Sequence, residues 1–127
     1  LMLHPTEYSN VLCQRMRKEN SKVFLVNTGW NGQGQRISLK NTRLIIDAIL
    51  NNELDECETQ NIPIFNLEIP LNINNVPPEI LNPRSTWNSS ENWNKTAKEL
   101  AQLFKNNFDK FCDNEHGKQL LKSGPQI

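Results

Sequence analysis

The chain has 127 residues, of which 36% are hydrophobic, and its 14 basic residues balance its 14 acidic residues. A domain of this length buries roughly two-thirds of the surface that its unfolded chain exposes, so a real core is possible. Without a basic face the sequence is unlike a nucleic-acid-binding module, and its apolar runs fall far short of the ~20 residues of a membrane-spanning helix.

Three cysteines, Cys13, Cys57 and Cys112, lie far apart and form no C-x-x-C pair. An odd number of widely spaced cysteines argues against a disulfide framework and against a zinc site. We therefore expect reduced thiols and a cytoplasmic protein. The sequence opens on Leu1 rather than on methionine, which leads us to expect a piece of a longer protein.

The first two predicted elements are a helix and a strand. Apolar residues recur at helical spacing between Pro5 and Glu19, and proline suits the first turn of a helix. The run KVFLVN, Lys22–Asn27, has four consecutive apolar residues between polar ends, and valine and phenylalanine favour strands. This pattern predicts a strand buried inside a sheet that is covered on both faces.

A glycine-rich loop and a second helix follow. Three glycines punctuate the loop between Gly29 and Gly34. Ser38 is the predicted N-cap of the helix, with Asn41 as the competitor, and apolar residues then recur at steps of three and four as far as Leu50. The order helix, strand, loop, helix predicts a mixed α/β fragment in which a few strands are packed by amphipathic helices.

The second half begins with an alternating segment and ends with helices. From Asn61 the pattern changes to period two, with apolar and polar residues alternating over Phe65–Leu71, which predicts an extended segment. Pro63 and Pro70 push this segment towards a sheet edge or an unpaired stretch. We expect a single turn at Glu79–Leu81. A long helix capped by Ser90 follows, and a short last helix is expected at Glu115–Lys122. The predicted apolar stripe of the long helix is Trp93, Ala97, Leu100, Ala101, Phe104, Phe108 and Phe111.

The loop NTGWNGQGQRIS is the strongest candidate for chemistry. Ligands collect at the C-terminal ends of strands in open α/β sheets, glycines let the backbone approach a ligand closely, and a helix N-terminus favours anions. Arg36 can pair with a phosphate or stack on a base. The spacing Gly32-x-Gly34 nevertheless matches neither G-x-G-x-x-G nor G-x-x-x-x-G-K-[ST]. The residues are compatible both with a nucleotide loop and with a plain turn that carries a solvated arginine.

The other polar and aromatic candidates are weaker. His4 before a proline is more typical of a helix start than of a metal ligand, and His116 lies at the opposite end of the sequence. The acidic residues within Glu53–Glu58 resemble a cation site but are more typical of a solvated face with a short helix. Trp30 and Trp87 lie in loops, where they either line a cleft or, as we expect, pack in the interior. We assign no catalytic or metal-binding residue to this chain.

Five motifs resemble one enzyme family in their order and spacing. They are LHPTEYSNVL, FLVNTGWNGQGQRISLKNTRLIIDAIL, FNLEIP, ILNPRSTW and SGPQI, and together they run from Leu3 to Ile127. They resemble the C-terminal end of ATP-dependent phosphoenolpyruvate carboxykinase, and Asn27–Arg43 is the most specific part. The resemblance implies a carboxy-lyase several times longer than this chain, which converts oxaloacetate and ATP into phosphoenolpyruvate, carbon dioxide and ADP early in gluconeogenesis.

The resemblance also implies a nucleotide site in the loop. Arg36 and Ile37 match the arginine–isoleucine pair that lines the family's nucleotide site, and Thr42 matches the threonine that opens the next helix. Gln35 stands where many relatives have lysine, and we assign it no role. In the family magnesium travels with the nucleotide and manganese binds at a separate site. The family's phosphate loop, metal ligands and substrate-binding arginines all belong upstream of this chain.

Residues 1–127 are then expected to be the C-terminal part of the carboxykinase nucleotide-binding domain. With only one wall of the ATP site, the fragment alone is expected to be inactive, and its partner is the missing N-terminal portion of the same enzyme. Two alternatives stay open. One is a non-catalytic interaction or structural domain that self-associates, and the other is a different nucleotide enzyme that shares only the loop.

Overall fold

The computed structural model describes residues 2–127, so Leu1 lies outside the described residues. Within this range five helices and one two-stranded sheet follow in the order α1 (Pro5–Lys18), α2 (Leu39–Leu50), β1 (Thr59–Ile62), β2 (Leu67–Pro70), α3 (Pro78–Leu81), α4 (Ser90–Phe108) and α5 (Glu115–Leu120). Single 3-10 turns occupy Pro83–Thr86, Asp109–Phe111 and Leu121–Ser123. The predicted mixed α/β class is confirmed.

Side-chain caps start the two helices of the first half. His4 Nδ1 accepts a hydrogen bond from the Thr6 N–H at 3.3 Å, and Ser38 Oγ accepts one from the Asn41 N–H at 3.1 Å. Each bond satisfies one of the backbone donors that a helix N-terminus leaves without a partner. The predicted helix start at His4 and the predicted cap at Ser38 are both confirmed.

Asparagines end the same two helices. Asn20 and Asn52 follow the C-caps of α1 and α2 with φ angles of 49° and 59°, in the left-handed region that asparagine enters more readily than most side chains. In each case the next N–H bonds back at 2.9 Å to a carbonyl five residues earlier, which closes a Schellman motif. Part of the high asparagine content therefore serves to stop helices.

The segment Lys22–Asn27 is not a strand, so this prediction was wrong. No backbone N–H or C=O group of this segment bonds to another backbone group within residues 2–127, and Val23 and Leu25 are 63% and 81% exposed. A buried strand needs a neighbouring strand and a covering layer, and the described part of the chain supplies neither at this place. We refer to Lys22–Asn27 as the strap.

β1 and β2 form an antiparallel hairpin. Thr59 lies opposite Pro70 and Ile62 lies opposite Leu67. The predicted extended conformation is confirmed for Asn61–Ile62 and Leu67–Pro70 but was wrong for residues 63–66, which form the turn of the hairpin. The pairing of β1 with β2 was not predicted, because three of the four β1 residues are polar and give no alternation.

Two small hydrophobic cores hold these elements together. In the first, Ala48 of α2 packs with Ile73 and Val76, which precede α3. In the second, Ile62 of β1 packs with Trp93 and with Ala97 of α4. Each core therefore fixes one helix against the middle of the chain, where the hairpin and α3 lie.

The longest helix begins as expected except for its cap. The Ser89 hydroxyl, not that of Ser90, accepts bonds from the first-turn N–H groups of Glu91 and Asn92 at 3.1 and 3.2 Å. The predicted single turn at Glu79–Leu81 is confirmed within α3. The predicted last helix is an α-helix only as far as Leu120, after which one 3-10 turn continues to Ser123.

The apolar stripe of α4 is buried only in part. Trp93, Ala97 and Ala101 are buried as predicted, but Leu100 and Phe104 are 45% and 52% exposed. The apolar residues do recur at helical spacing along α4. The rest of the described chain, however, covers only the side of the stripe that carries Trp93, Ala97 and Ala101. The prediction of one continuous buried face was therefore wrong for the outer part of the stripe.

A polar contact joins the start of α5 to the start of α1. Asn114 Oδ1 accepts the Gly117 N–H at 2.8 Å and thereby caps α5, while Asn114 Nδ2 donates to Thr6 Oγ1 at 3.0 Å. Thr6 is buried, and its hydroxyl also lies 2.7 Å from His4 Nδ1. Because these buried polar groups satisfy one another, the two ends of the chain are held together without a large apolar core.

Candidate functional site

The glycine-rich loop closes on itself as a small hairpin. The Ile37 N–H donates to the Gly29 carbonyl at 2.9 Å, and the Asn31 N–H donates to the Gln35 carbonyl at 2.8 Å. We refer to residues 29–37 as the loop hairpin. It places the chain in a defined conformation immediately before α2.

The tip of the loop hairpin is organised by one side chain. Asn31 Oδ1 accepts the N–H groups of Gln33 and Gln35 at 3.0 and 2.9 Å, the local bonding that asparagine favours in turns. Gly34 has a φ of 72°, which a residue with a Cβ atom adopts only at a cost. The run NGQG therefore encodes a specific turn, which the glycine spacing alone did not predict.

Two residues from the second half of the chain clamp the loop hairpin. The Gly32 N–H donates to Thr86 Oγ1 at 2.9 Å, and the same hydroxyl donates to the Pro83 carbonyl at 3.0 Å. A Cβ atom on Gly32 would lie 2.2 Å from Cδ1 of the Trp87 indole, so this glycine is needed for close packing. Sequence reasoning missed Thr86, because a partner 54 residues away leaves no local signal.

The arginine–isoleucine pair lies on the returning strand of the loop hairpin. Arg36 is exposed, and no carboxylate approaches its guanidinium within 4.0 Å among residues 2–127. Ile37 lines an open cleft of about 640 Å³, whose other walls include the strap, Ile45 and Ile49. The structure thus offers an unpaired cation and an apolar wall at adjacent positions.

Thr42 occupies the start of α2, separate from the arginine. It is 8% exposed, and its hydroxyl donates to the Ser38 carbonyl at 3.1 Å. The Leu39 and Lys40 N–H groups, in the first turn of the same helix, have no hydrogen-bond partner within residues 2–127. The start of α2 therefore presents free backbone donors and the positive end of the helix dipole next to the loop hairpin.

The tryptophans divide into packed and exposed side chains. Trp93 is buried and Trp87 is half-buried against the second core, so the predicted packing is confirmed for both. Trp30 is 68% exposed, and the prediction that it packs in the interior was wrong. Its neighbours in the loop hairpin are glycines and polar residues, which offer no apolar surface for the ring to contact.

The remaining candidates do not form a site. Residues 51–56 are turns rather than the predicted short helix, and Asp55 pairs with Lys22 at 2.5 Å. Within residues 2–127 no three His, Cys, Asp or Glu side chains are grouped so that they could hold a metal ion. The donor set in this part of the protein therefore does not fit manganese.

No helix among the described residues is long and apolar enough to cross a membrane.

A comparison with known protein families identifies the relationship. The family model described as phosphoenolpyruvate carboxykinase, of the ATP-dependent type, matches residues 1–79, more than half of the chain. The chain belongs to the phosphoenolpyruvate carboxykinase family. This family comprises carboxy-lyases that use ATP with divalent metals and act on small molecules. The range matched to the carboxykinase contains the loop hairpin and all of α2, whereas residues 80–127, with Thr86 and α4, lie outside it.

Proposed function

We propose that this chain is the C-terminal part of the nucleotide-binding domain of an ATP-dependent phosphoenolpyruvate carboxykinase. The whole enzyme would convert oxaloacetate and ATP into phosphoenolpyruvate, carbon dioxide and ADP in gluconeogenesis, in the cytoplasm. The observation that carries the proposal is the family match over residues 1–79, which includes the loop hairpin and the helix behind it.

Three residues are proposed to contact the nucleotide. The unpaired guanidinium of Arg36 binds phosphate, Ile37 supplies an apolar wall, and the Thr42 hydroxyl, which already donates to the Ser38 carbonyl, accepts one hydrogen bond. The exposure of Arg36 and the free first-turn N–H groups of α2 support this assignment, since both attract a polyphosphate. With only one wall of the pocket, binding by the chain alone is expected to be weak, with a Kd of about 1 mM, or roughly −4 kcal/mol.

The isolated chain is proposed to have no carboxykinase activity. Phosphoryl transfer depends on positioning and on the cations around the γ-phosphate, and the described residues contain no grouped metal ligands. Magnesium and manganese would be held by the missing N-terminal portion of the enzyme, together with oxaloacetate. A coupled assay of the purified chain with oxaloacetate, ATP, Mg²⁺ and Mn²⁺ should show no turnover, and measurable turnover would contradict this part of the proposal.

Calorimetric titration with ATP tests the nucleotide role directly. We expect weak but measurable binding by the wild-type chain and at least about a tenfold loss in Arg36→Ala, the low end of what a charge-assisted hydrogen bond contributes. Arg43→Ala is the matched control, since it removes an exposed arginine from α2 outside the loop hairpin. Equal ATP affinity in all three proteins would remove Arg36 from the site.

One observation favours a second function, a non-catalytic domain that self-associates. Val11 and Leu12 on α1 and Leu103 on α4 are 49%, 59% and 64% exposed, so two helices have apolar faces without a covering layer in residues 2–127. Exposed patches of this kind mark interaction surfaces. A stable dimer of defined mass that binds no ATP would favour this function over the carboxykinase role.

A further inference from the structure

The face of the loop hairpin that carries Arg36 also carries an aromatic side chain. Trp30 and Arg36 lie directly opposite each other in an antiparallel bridge. The Gly29–Ile37 and Asn31–Gln35 bonds flank this pair, which makes it a non-hydrogen-bonded pair. In such a pair the two side chains leave the same face and are close neighbours.

Neither side chain of the pair is used by the fold. Trp30 is 68% exposed and belongs to neither hydrophobic core, and Arg36 has no carboxylate within 4.0 Å among residues 2–127. The backbone beneath them is nevertheless fixed, because Thr86 and Trp87 hold the hairpin through Gly32. A free indole and a free guanidinium on one rigid face suit a flat ligand that carries negative charge.

We propose that Trp30 is the residue on which the nucleobase of ATP stacks, while Arg36 on the same face engages a phosphate. The inference rests on the proposed nucleotide role and adds a residue to it. Stacking of a base on an aromatic side chain strengthens binding by about tenfold or more.

Two probes separate base recognition from phosphate recognition. Calorimetric titrations with ATP and with inorganic tripolyphosphate give two dissociation constants, and their ratio measures what the nucleoside contributes. In the wild-type chain we expect ATP to bind about tenfold more tightly than tripolyphosphate. In Trp30→Leu the ratio should fall to about one with tripolyphosphate affinity unchanged, whereas Arg36→Ala should weaken both ligands.

Two control variants sharpen the comparison. Leu103→Ala removes a similarly exposed apolar side chain from α4 and should leave the ratio unchanged. Leu50→Ala removes an exposed apolar side chain from the far end of α2 and should also leave the ratio unchanged. Because Trp30 is exposed, its emission should be quenched by ATP, and Trp30→Phe should abolish that quenching while Trp87 and Trp93 still fluoresce.

The outcomes distinguish this inference from the proposed function. If ATP binds the wild-type chain and Trp30→Leu binds it equally well, the stacking role of Trp30 is overturned while the nucleotide role stands. Equal affinity of the wild-type chain for ATP and tripolyphosphate also overturns the stacking role. If the wild-type chain binds neither probe, the proposed nucleotide function fails, and the inference fails with it.

Discussion

Gly117 has the least room for substitution of the glycines in this protein. A Cβ atom at this position would lie 1.7 Å from the Phe111 carbonyl oxygen, a backbone atom that cannot rotate away. We expect Gly117→Ala to lower the free energy of unfolding by about 1–3 kcal/mol, since the two segments must separate to admit the methyl group. Urea denaturation measures the change.

Gly124→Ala is the matched control for that substitution. Its nearest non-neighbouring atom, the Leu121 carbonyl oxygen, would lie 3.5 Å from the new Cβ, which is an ordinary contact. We expect a change within about 0.5 kcal/mol. An equal loss of stability in both variants would mean that the packing of α5 against Phe111 does not contribute to folding.

At the scale of elements, local signals were sufficient for helices. The apolar spacing and the caps of α1 and α2 lie within each segment, and both helices end within one residue of their predicted bounds. The strap shows where this reasoning stops. Its composition is that of a buried strand, but a strand exists only beside a partner, and no partner lies within residues 2–127. The strap is therefore largely apolar, and its backbone has no strand partner within residues 2–127.

The role of the left-handed asparagine that ends α2 can be tested by substitution. We expect Asn52→Ala to lower the free energy of unfolding by about 1–2 kcal/mol, because a Cβ atom without a local polar group is disfavoured at a φ of 59°. Asn52→Gly should be neutral or stabilising. Asn51→Ala, one residue earlier at a φ of −85°, is the control and should change stability little. Thermal unfolding followed by circular dichroism measures these changes. Equal losses of stability in Asn52→Ala and Asn51→Ala would mean that the left-handed conformation at Asn52 is unimportant.

The loop hairpin depends on a contact that no local pattern indicates. The sequence predicted a candidate site in this loop, because glycines and an arginine before a helix are a local signal, and that assignment stays a prediction. It could not reveal that Thr86 holds the loop, since the two segments meet only in the folded chain. We expect Thr86→Val to make the Gly32 amide exchange with deuterium about tenfold faster, as the loss of one hydrogen bond implies.

Thr86→Ser keeps the hydroxyl and is the control for the clamp. It should preserve slow exchange at Gly32, and hydrogen exchange measured by NMR reports this amide individually. If Thr86→Val exchanged as slowly as the wild type, packing of Trp87 on Gly32 would be sufficient to hold the loop hairpin.

At the scale of the whole molecule, the surface is too large for a closed domain. The accessible area is 9687 Å², whereas a compact monomer of 14.7 kDa exposes about 6,900 Å². The excess of about 2,700 Å² is of the size that permanent interfaces bury. Its apolar part includes the strap, the outer faces of α1 and α4, and the open cleft beside Ile37. This excess supports the proposal that the chain packs against a further portion of the enzyme.

The exposed strap should make the isolated chain associate with itself. Unpaired backbone groups and apolar side chains are the features that let an edge strand pair with another copy. We expect the weight-average mass from sedimentation to rise with concentration in the wild type. Leu25→Lys should suppress this rise, because it places a charge at the most exposed apolar position of the strap, and it should not alter the unfolding midpoint.

Gln33→Lys is the control, because it adds the same charge at an exposed position of the loop hairpin. Comparing the two variants separates the effect of the position from the effect of net charge. Gln33→Lys should associate like the wild type, since Gln33 lies outside the strap. If both lysine variants suppress the rise in mass equally, charge repulsion is sufficient to explain the suppression, and the strap has no special role in association. If the wild type stays monomeric at every concentration, the excess area does not drive self-association.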